Sequence, residues 1–318
     1  MIDFRYHLVS IVAIFLALAL GIVLGSTTLS DSVSETLRQQ ANQAAKTAQQ
    51  ARNQQRQLQG QVNGQEQFAR ALSPQIVADR LKGQSVVIVE APGAGNDSIE
   101  RLTELVKDAG AAVTGRVTIQ KKLLDDDQRM TVDELATQLK ADDVEFPDGA
   151  NAYDKAGAVL AAALVTKDPR ESGREDAAGG AVLNGFKEAG YITSTGRPGR
   201  HATLAVLIGP ATPYAYEGGG DDNKALISLA SALDAAGRGT VVGGPSTSAQ
   251  EGGLIAALRD SDAEEKVSTV DVVDTPSGQI VTILALQNEM SGKSGQYGTG
   301  AGVSGYLPSP APTAGKNG

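Results

Sequence analysis

From Leu8 to Gly25 the chain runs for 18 residues without a charge. Ser10 is the one polar side chain, and glycine enters only at Gly21 and Gly25. A helix of that length rises about 27 Å, close to the thickness of a bilayer's hydrocarbon core. Leu8, Phe15, Leu16, Leu20 and Leu24 are the bulky groups expected to meet lipid. The chain is therefore expected at a membrane, through a single N-terminal span. Arg5 and the terminal amine precede the span, whereas Asp31 and Glu35 follow it before the first cation, Arg38. Together with the short N-terminal tail, this favours an N-terminus inside and a large domain outside the cytoplasm. The competing reading is a cleaved signal peptide, with Val23 and Gly25 small enough to precede a cut before Ser26.

Behind the span, Ser30 to about Leu72 is rich in Gln and Ala and free of proline. A spacing of three and four links Leu37, Ala41, Ala44, Ala48, Ala51, Gln55, Leu58, Val62, Gln65, Ala69 and Leu72. This predicts a helical stalk resembling a weak coiled coil. Alanine buries little area, two stripe positions are Gln, and Gly60 and Gly64 each cost about 1 kcal/mol relative to Ala. Pairing along it, as a homodimer or with a second membrane protein, involves Leu37, Ala41, Ala44, Ala48, Ala51, Leu58, Val62 and Leu72. The alternative is a solvated spacer. Pro74 is expected to end this helix or to open a short new one.

Beyond Pro74 the pattern changes. Ser85–Glu90 is a β-branched run ending in the turn Ala91-Pro92-Gly93-Ala94-Gly95. Asn96 or Asp97 is placed to cap a helix reaching Ala109, with Ile99, Leu102, Leu105 and Val106 on one face. Residues 112–119 read as the next strand. Helices are expected over 131–141, 153–165 and 175–189, with acidic loops between. Strands follow at 202–208 and 239–242, helices at 222–236 and 248–259, and further strands at 270–273 and 279–286. Alternating strands and helices predict a mostly parallel, doubly wound α/β domain covered on both faces. The organisation expected is a cytoplasmic N-terminus over 1–7, an anchor over 8–25, a stalk over 26–73 and an extracytoplasmic domain over 74–290. That domain forms one sheet, or two lobes near 74–150 and 151–290. A Gly/Pro-rich segment and disordered tail fill 291–318.

Composition removes several function classes. The 37 acidic against 28 basic residues leave a net charge of −9, with no basic surface for nucleic acid. Cysteine is absent, which excludes disulfides, thiolate metal sites and a cysteine nucleophile. The chain lacks a G-x-S-x-G elbow and a P-loop, so no enzyme activity and no cofactor are expected. The segment after Glu90 departs from a dinucleotide fingerprint at Ser98 and loses an amide donor at Pro92.

Two stretches carry a family resemblance. One is Phe4-Arg5-Tyr6-His7-Leu8-Val9-Ser10 running into Phe15 to Ser26. The other pairs Ser268 to Asp271 and Gln279 to Leu286 with Gly295-Gln296-Tyr297-Gly298-Thr299-Gly300. In these the chain resembles the actinobacterial copper transporter family typified by mycobacterial copper transport protein B, over nearly its whole length. The resemblance implies a role in copper homeostasis or export at the envelope. Its corynebacterial members imply an alternative, a non-enzymatic cell-division scaffold controlling peptidoglycan hydrolysis through a membrane partner. The residues themselves supply few soft ligands: Met1, Met130, Met290, His7 and His201, no two at a metal-ligand spacing. Asp125 to Asp127, Asp142-Asp143 and Asp221-Asp222 lack the pattern of an EF-hand loop. Copper thus enters by resemblance alone and the expected role is indirect. Residues 295–300 are expected to form a glycine-rich loop docked on the domain or on a partner.

Overall fold

The computed structural model describes residues 4–214 and 219–309. The rest of the proposed tail, 310–318, lies outside the described residues, as do Met1 to Asp3. Two compact units divide near Gln65. The first is formed by helix α1 (Phe4–Val77), whose last turns belong to the second. Leu37, Leu58 and Val62 of the stripe are exposed. Ala69 and Leu72 are half-buried, and Val77 and Leu81 are fully buried in the second unit.

Pro74 neither ends nor begins a helix; α1 runs through it to Val77. Proline leaves the carbonyl four residues back without its usual donor. Here that carbonyl belongs to Arg70, and Ser73 Oγ donates to it at 2.9 Å. The side chain beside the proline thus replaces the missing backbone bond.

Among its described residues, the second unit holds seven strands in one sheet: β1 (Ser85–Glu90), β2 (Ala112–Ile119), β3 (Ile192–Gly196), β4 (Leu204–Ile208), β5 (Thr240–Gly243), β6 (Ser268–Val270) and β7 (Gln296–Tyr297). Their order is β3-β2-β1-β4-β5-β6-β7, and every pairing is parallel except that of β3 with β2. Both expected sets of strand–helix units therefore lie in one sheet. Side chains of β1 alternate between its faces. Val87 and Val89 join a core shared with Val117, Leu207 and Phe186, while Val86 and Ile88 join Leu102, Val106 and Ile283. Burial on both faces explains why these strands read as unbroken apolar runs.

Among the described residues, seven shorter helices cover the sheet: α2 (Asn96–Asp108), α3 (Lys121–Leu124), α4 (Arg129–Gln138), α5 (Ala152–Leu164), α6 (Ala177–Glu188), α7 (Gly219–Ala236) and α8 (Leu254–Arg259). An eighth, α9 (Pro276–Glu289), replaces the strand expected at 279–286. Ile280, Val281, Ile283, Leu284 and Leu286 are all buried, so α9 has no polar face to mark its period. Its start is nonetheless encoded. Thr275 caps it, accepting a bond from Gly278 N at 3.0 Å, and Pro276 occupies the first turn.

Other expectations need correction. α2 starts from Gly95 with no side-chain cap, so neither Asn96 nor Asp97 is its cap. The helix expected over 248–259 is a 3-10 turn at Ser246–Ala249 and the short α8, separated at Gly252-Gly253, where Gly252 has φ +79°. The strand expected at 270–273 is β6, which ends at Val270. α7 starts at Gly219, three residues before the helix expected from Asp222, so Asp221 and Asp222 lie in its first turn.

Candidate functional site

Residues 295–300 do not form a free loop. Gln296 and Tyr297 are strand β7, paired with Thr269 and Val270 at the edge of the sheet. The chain then turns back over Asp271, which is fully buried. Asp271 Oδ1 accepts from Thr299 N at 2.8 Å, and Oδ2 accepts from Gly300 N at 3.0 Å and from Arg259 Nη1 at 2.9 Å. Arg259 spends its remaining donors nearby: Nε on Thr269 Oγ1 at 2.9 Å, Nη1 also on Ala301 O at 2.9 Å, and Nη2 on Tyr297 O at 3.1 Å. Gln296 Nε2 donates to Glu264 O at 2.8 Å and Val267 O at 3.2 Å. Glycine is needed because a Cβ on Gly298 would overlap the Asp271 carboxylate, and one on Gly295 the Tyr297 hydroxyl. The motif is thus a clasp that closes the sheet edge around a buried ion pair.

The crevice where the strand order reverses, between β1 and β4, is where doubly wound folds bind ligands. Here its loops bond to one another. Ala211 N donates to Gly93 O at 2.9 Å and Tyr214 Oη to Pro92 O at 3.0 Å. At the start of α7, Asp222 is buried and its Oδ2 has no hydrogen-bond partner among the described residues. Burial pushes its carboxyl up to about 6; Lys121 opposes this, and Asp126 and Asp125 add to it. Among the described residues, no three of His, Cys, Asp or Glu are placed to hold a metal. The soft groups lie on separate elements. His7 is on α1, His201 is at a bridge beside Arg174, exposed Met130 opens α4, and Met290 follows α9.

At the amino-terminal ends of β5 and β6 a cavity of about 520 Å³ is lined by Lys167, Arg238, Lys266, Asp234, Glu265 and Glu289. Glu289 is buried and accepts from Ser268 N at 2.9 Å and Ser268 Oγ at 2.5 Å. Desolvation pushes its carboxyl up to about 8, the hydrogen bonds from Ser268 opposing and Asp234 reinforcing the shift. The folded chain therefore holds this proton more tightly than the unfolded chain. That contribution to stability is fully present below the ordinary carboxylate pKa and is lost as pH rises to about 8. Glu289→Gln is expected to flatten this part of the stability profile between about pH 5 and 8. Urea unfolding of wild type and variant across that range checks it; parallel profiles would show that the carboxyl does not titrate there.

The anchor positions meet the physical requirement for a span. Arg5–Gly25 is helical, with mean hydropathy 2.9 and none of it buried inside the protein. Leu8, Phe15, Leu16, Leu20 and Leu24 are all exposed.

A family model described as "Copper transport outer membrane protein, MctB" matches residues 1–308. The chain belongs to the MctB family. Relatives named "Copper transporter MctB" from Mycobacterium tuberculosis and Mycobacterium bovis are each 32% identical to it over 316 residues, covering 95% of this chain and 98% of theirs. The Mycobacterium leprae protein of that name is 32% identical over 255 residues, covering 74% and 77%. The MctB match takes in the apolar helix, the α/β unit and the Arg259–Asp271 clasp together. The clasp was hidden from sequence reasoning because Arg259 closes a helix and Asp271 follows a strand. Only the closely spaced glycines after Ser294 signalled a tight backbone approach there.

Proposed function

We propose that this chain is a membrane-anchored envelope protein acting in copper homeostasis. The observation carrying this reading is the near-complete match to relatives named for copper transport. The role is indirect and non-enzymatic, since copper prefers thiolates, thioethers or imidazoles and the chain has no cysteine and two histidines. The α/β unit acts as a binding surface. We place the anchor in the cytoplasmic membrane, because an apolar helix suits that bilayer whereas outer membranes are spanned by closed barrels. The α/β unit then lies outside the cytoplasm, and the Leu37–Leu72 stripe pairs, through its exposed part up to Val62, as a weak coiled coil with a second copy or another anchored protein. Tethering raises effective concentration enough for a poor stripe to associate.

Deletion of the gene is expected to raise cell-associated copper during growth in added copper. Re-expression of the full chain restores it, and a chain lacking residues 4–25 does not. Unchanged copper content in the deletion strain, measured by mass spectrometry, rejects the reading. Protease added to intact spheroplasts is expected to remove the α/β unit; full protection reverses the orientation. Glutamate at Leu37, Leu58 and Val62 together is expected to abolish stalk-to-stalk crosslinking in membranes.

A further inference from the structure

We propose that the groove between α5 and α7 receives the cationic segment 38–56 of a second copy of this chain. The groove encloses about 780 Å³. Its floor is made of small or apolar groups, Ala158, Ala162, Ile227 and Ala232. Below it the two helices already touch closely. A Cβ on Gly157 would lie 3.2 Å from Ser228 O and 3.4 Å from Ala232 Cβ. A floor without long side chains lets another backbone approach.

The rim carries negative charge. Asp143, Glu145 and Asp262 are exposed at its edges and have no ion pair with any described residue. Asp154, also in the lining, is already engaged by Ser228 Oγ at 2.6 Å and Asn151 N at 3.0 Å. Lys266 is the single cation of the lining. Unpaired carboxylates around an apolar floor suit an occupant with small side chains and several cations.

The chain contains such a segment. Between Leu37 and Gln65 it has Arg38, Lys46, Arg52 and Arg56 and no acidic residue. At 100° per residue, Arg38, Arg52 and Arg56 fall within an arc of roughly 40°. Ala45 lies on the same side of the helix. The centre of this face lies roughly 90° from that of the Leu37–Val62 stripe, so changes at Leu37, Leu58 and Val62 leave the arginine face intact. The inference goes beyond the stripe pairing and stands or falls independently of it.

The absence of cysteine makes a clean test. Two differently tagged full-length chains are co-expressed in membranes, one with Ser231→Cys and the other with Ala45→Cys, and treated with a short bis-maleimide. An adduct carrying both tags is expected. It should fall at least fivefold when Asp143, Glu145 and Asp262 are changed to Lys in the Ser231→Cys chain, and weaken at high salt. These three side chains are exposed, and circular dichroism confirms that the variant remains folded. The adduct should persist when Leu37, Leu58 and Val62 carry Glu. Absence of the mixed adduct, or an adduct indifferent to charge reversal, overturns the proposal. An Ala45→Cys to Ala45→Cys adduct with none to Ser231→Cys also overturns it, while leaving stripe pairing intact.

Discussion

Asp271→Ala is expected to cost about 3–5 kcal/mol of folding stability, because it leaves the Arg259 guanidinium buried without its counter-charge. Arg259 has 4% and Asp271 0% of its side chain exposed, so water cannot take over the lost interaction. The substitution also strands the amides of Thr299 and Gly300, which no longer have an acceptor. For a unit of this size the midpoint of thermal unfolding should drop by roughly 10 °C or more. Gly298→Ala should act through the same clasp, since the added methyl drives into the Asp271 carboxylate. Replacing both charges with apolar groups, as in Arg259→Met with Asp271→Leu, should recover part of the loss by removing the uncompensated charge. Circular dichroism melts of the full-length protein in detergent give the measurement. A loss below about 1 kcal/mol for Asp271→Ala would show that the pair is hydrated.

Removing residues 4–25 should move the protein from the membrane pellet to the supernatant after carbonate washing. The Arg5–Gly25 helix keeps its apolar side chains on its outer surface and is long enough for a bilayer to bury them. Leu, Ile, Phe and Val each favour insertion by about 0.3–0.6 kcal/mol, whereas one Arg at the centre opposes it by about 2.5–3.5 kcal/mol. Leu16→Arg with Leu20→Arg should therefore release most of the protein by the same assay. The α/β unit contains its own cores and is expected to stay folded in the released form. Retention of the deletion variant in the carbonate-washed pellet would mean that another part of the chain holds the membrane.

Legibility in the sequence followed the physics of burial. Residues 85–90 and the Ile99–Val106 face were readable because a strand buried on both faces and an amphipathic helix leave clear patterns. Residues 279–286 were not, because a helix enclosed on nearly all sides loses its polar stripe and its β-branched content imitates a strand. β3 was missed for the opposite reason. Thr193, Thr195 and Gly196 lie largely outside the core at an antiparallel edge and give no apolar signal. Pro74 misled because proline predicts a break unless a neighbour supplies the missing donor, and only coordinates reveal the Ser73 bond. The clasp joins groups 10 and more residues apart, and no local pattern encodes such a pairing.

The last strand of the sheet, β7, is made long after the two charges it encloses. Arg259 and Asp271 leave the ribosome well before Tyr297, Thr299, Gly300 and Ala301, which complete their bonding. Until those residues emerge, a buried cation and anion wait at an unfinished sheet edge. A chain cut short before Gly295 therefore carries a built-in defect that proteases can read, and completeness of synthesis becomes a condition of survival.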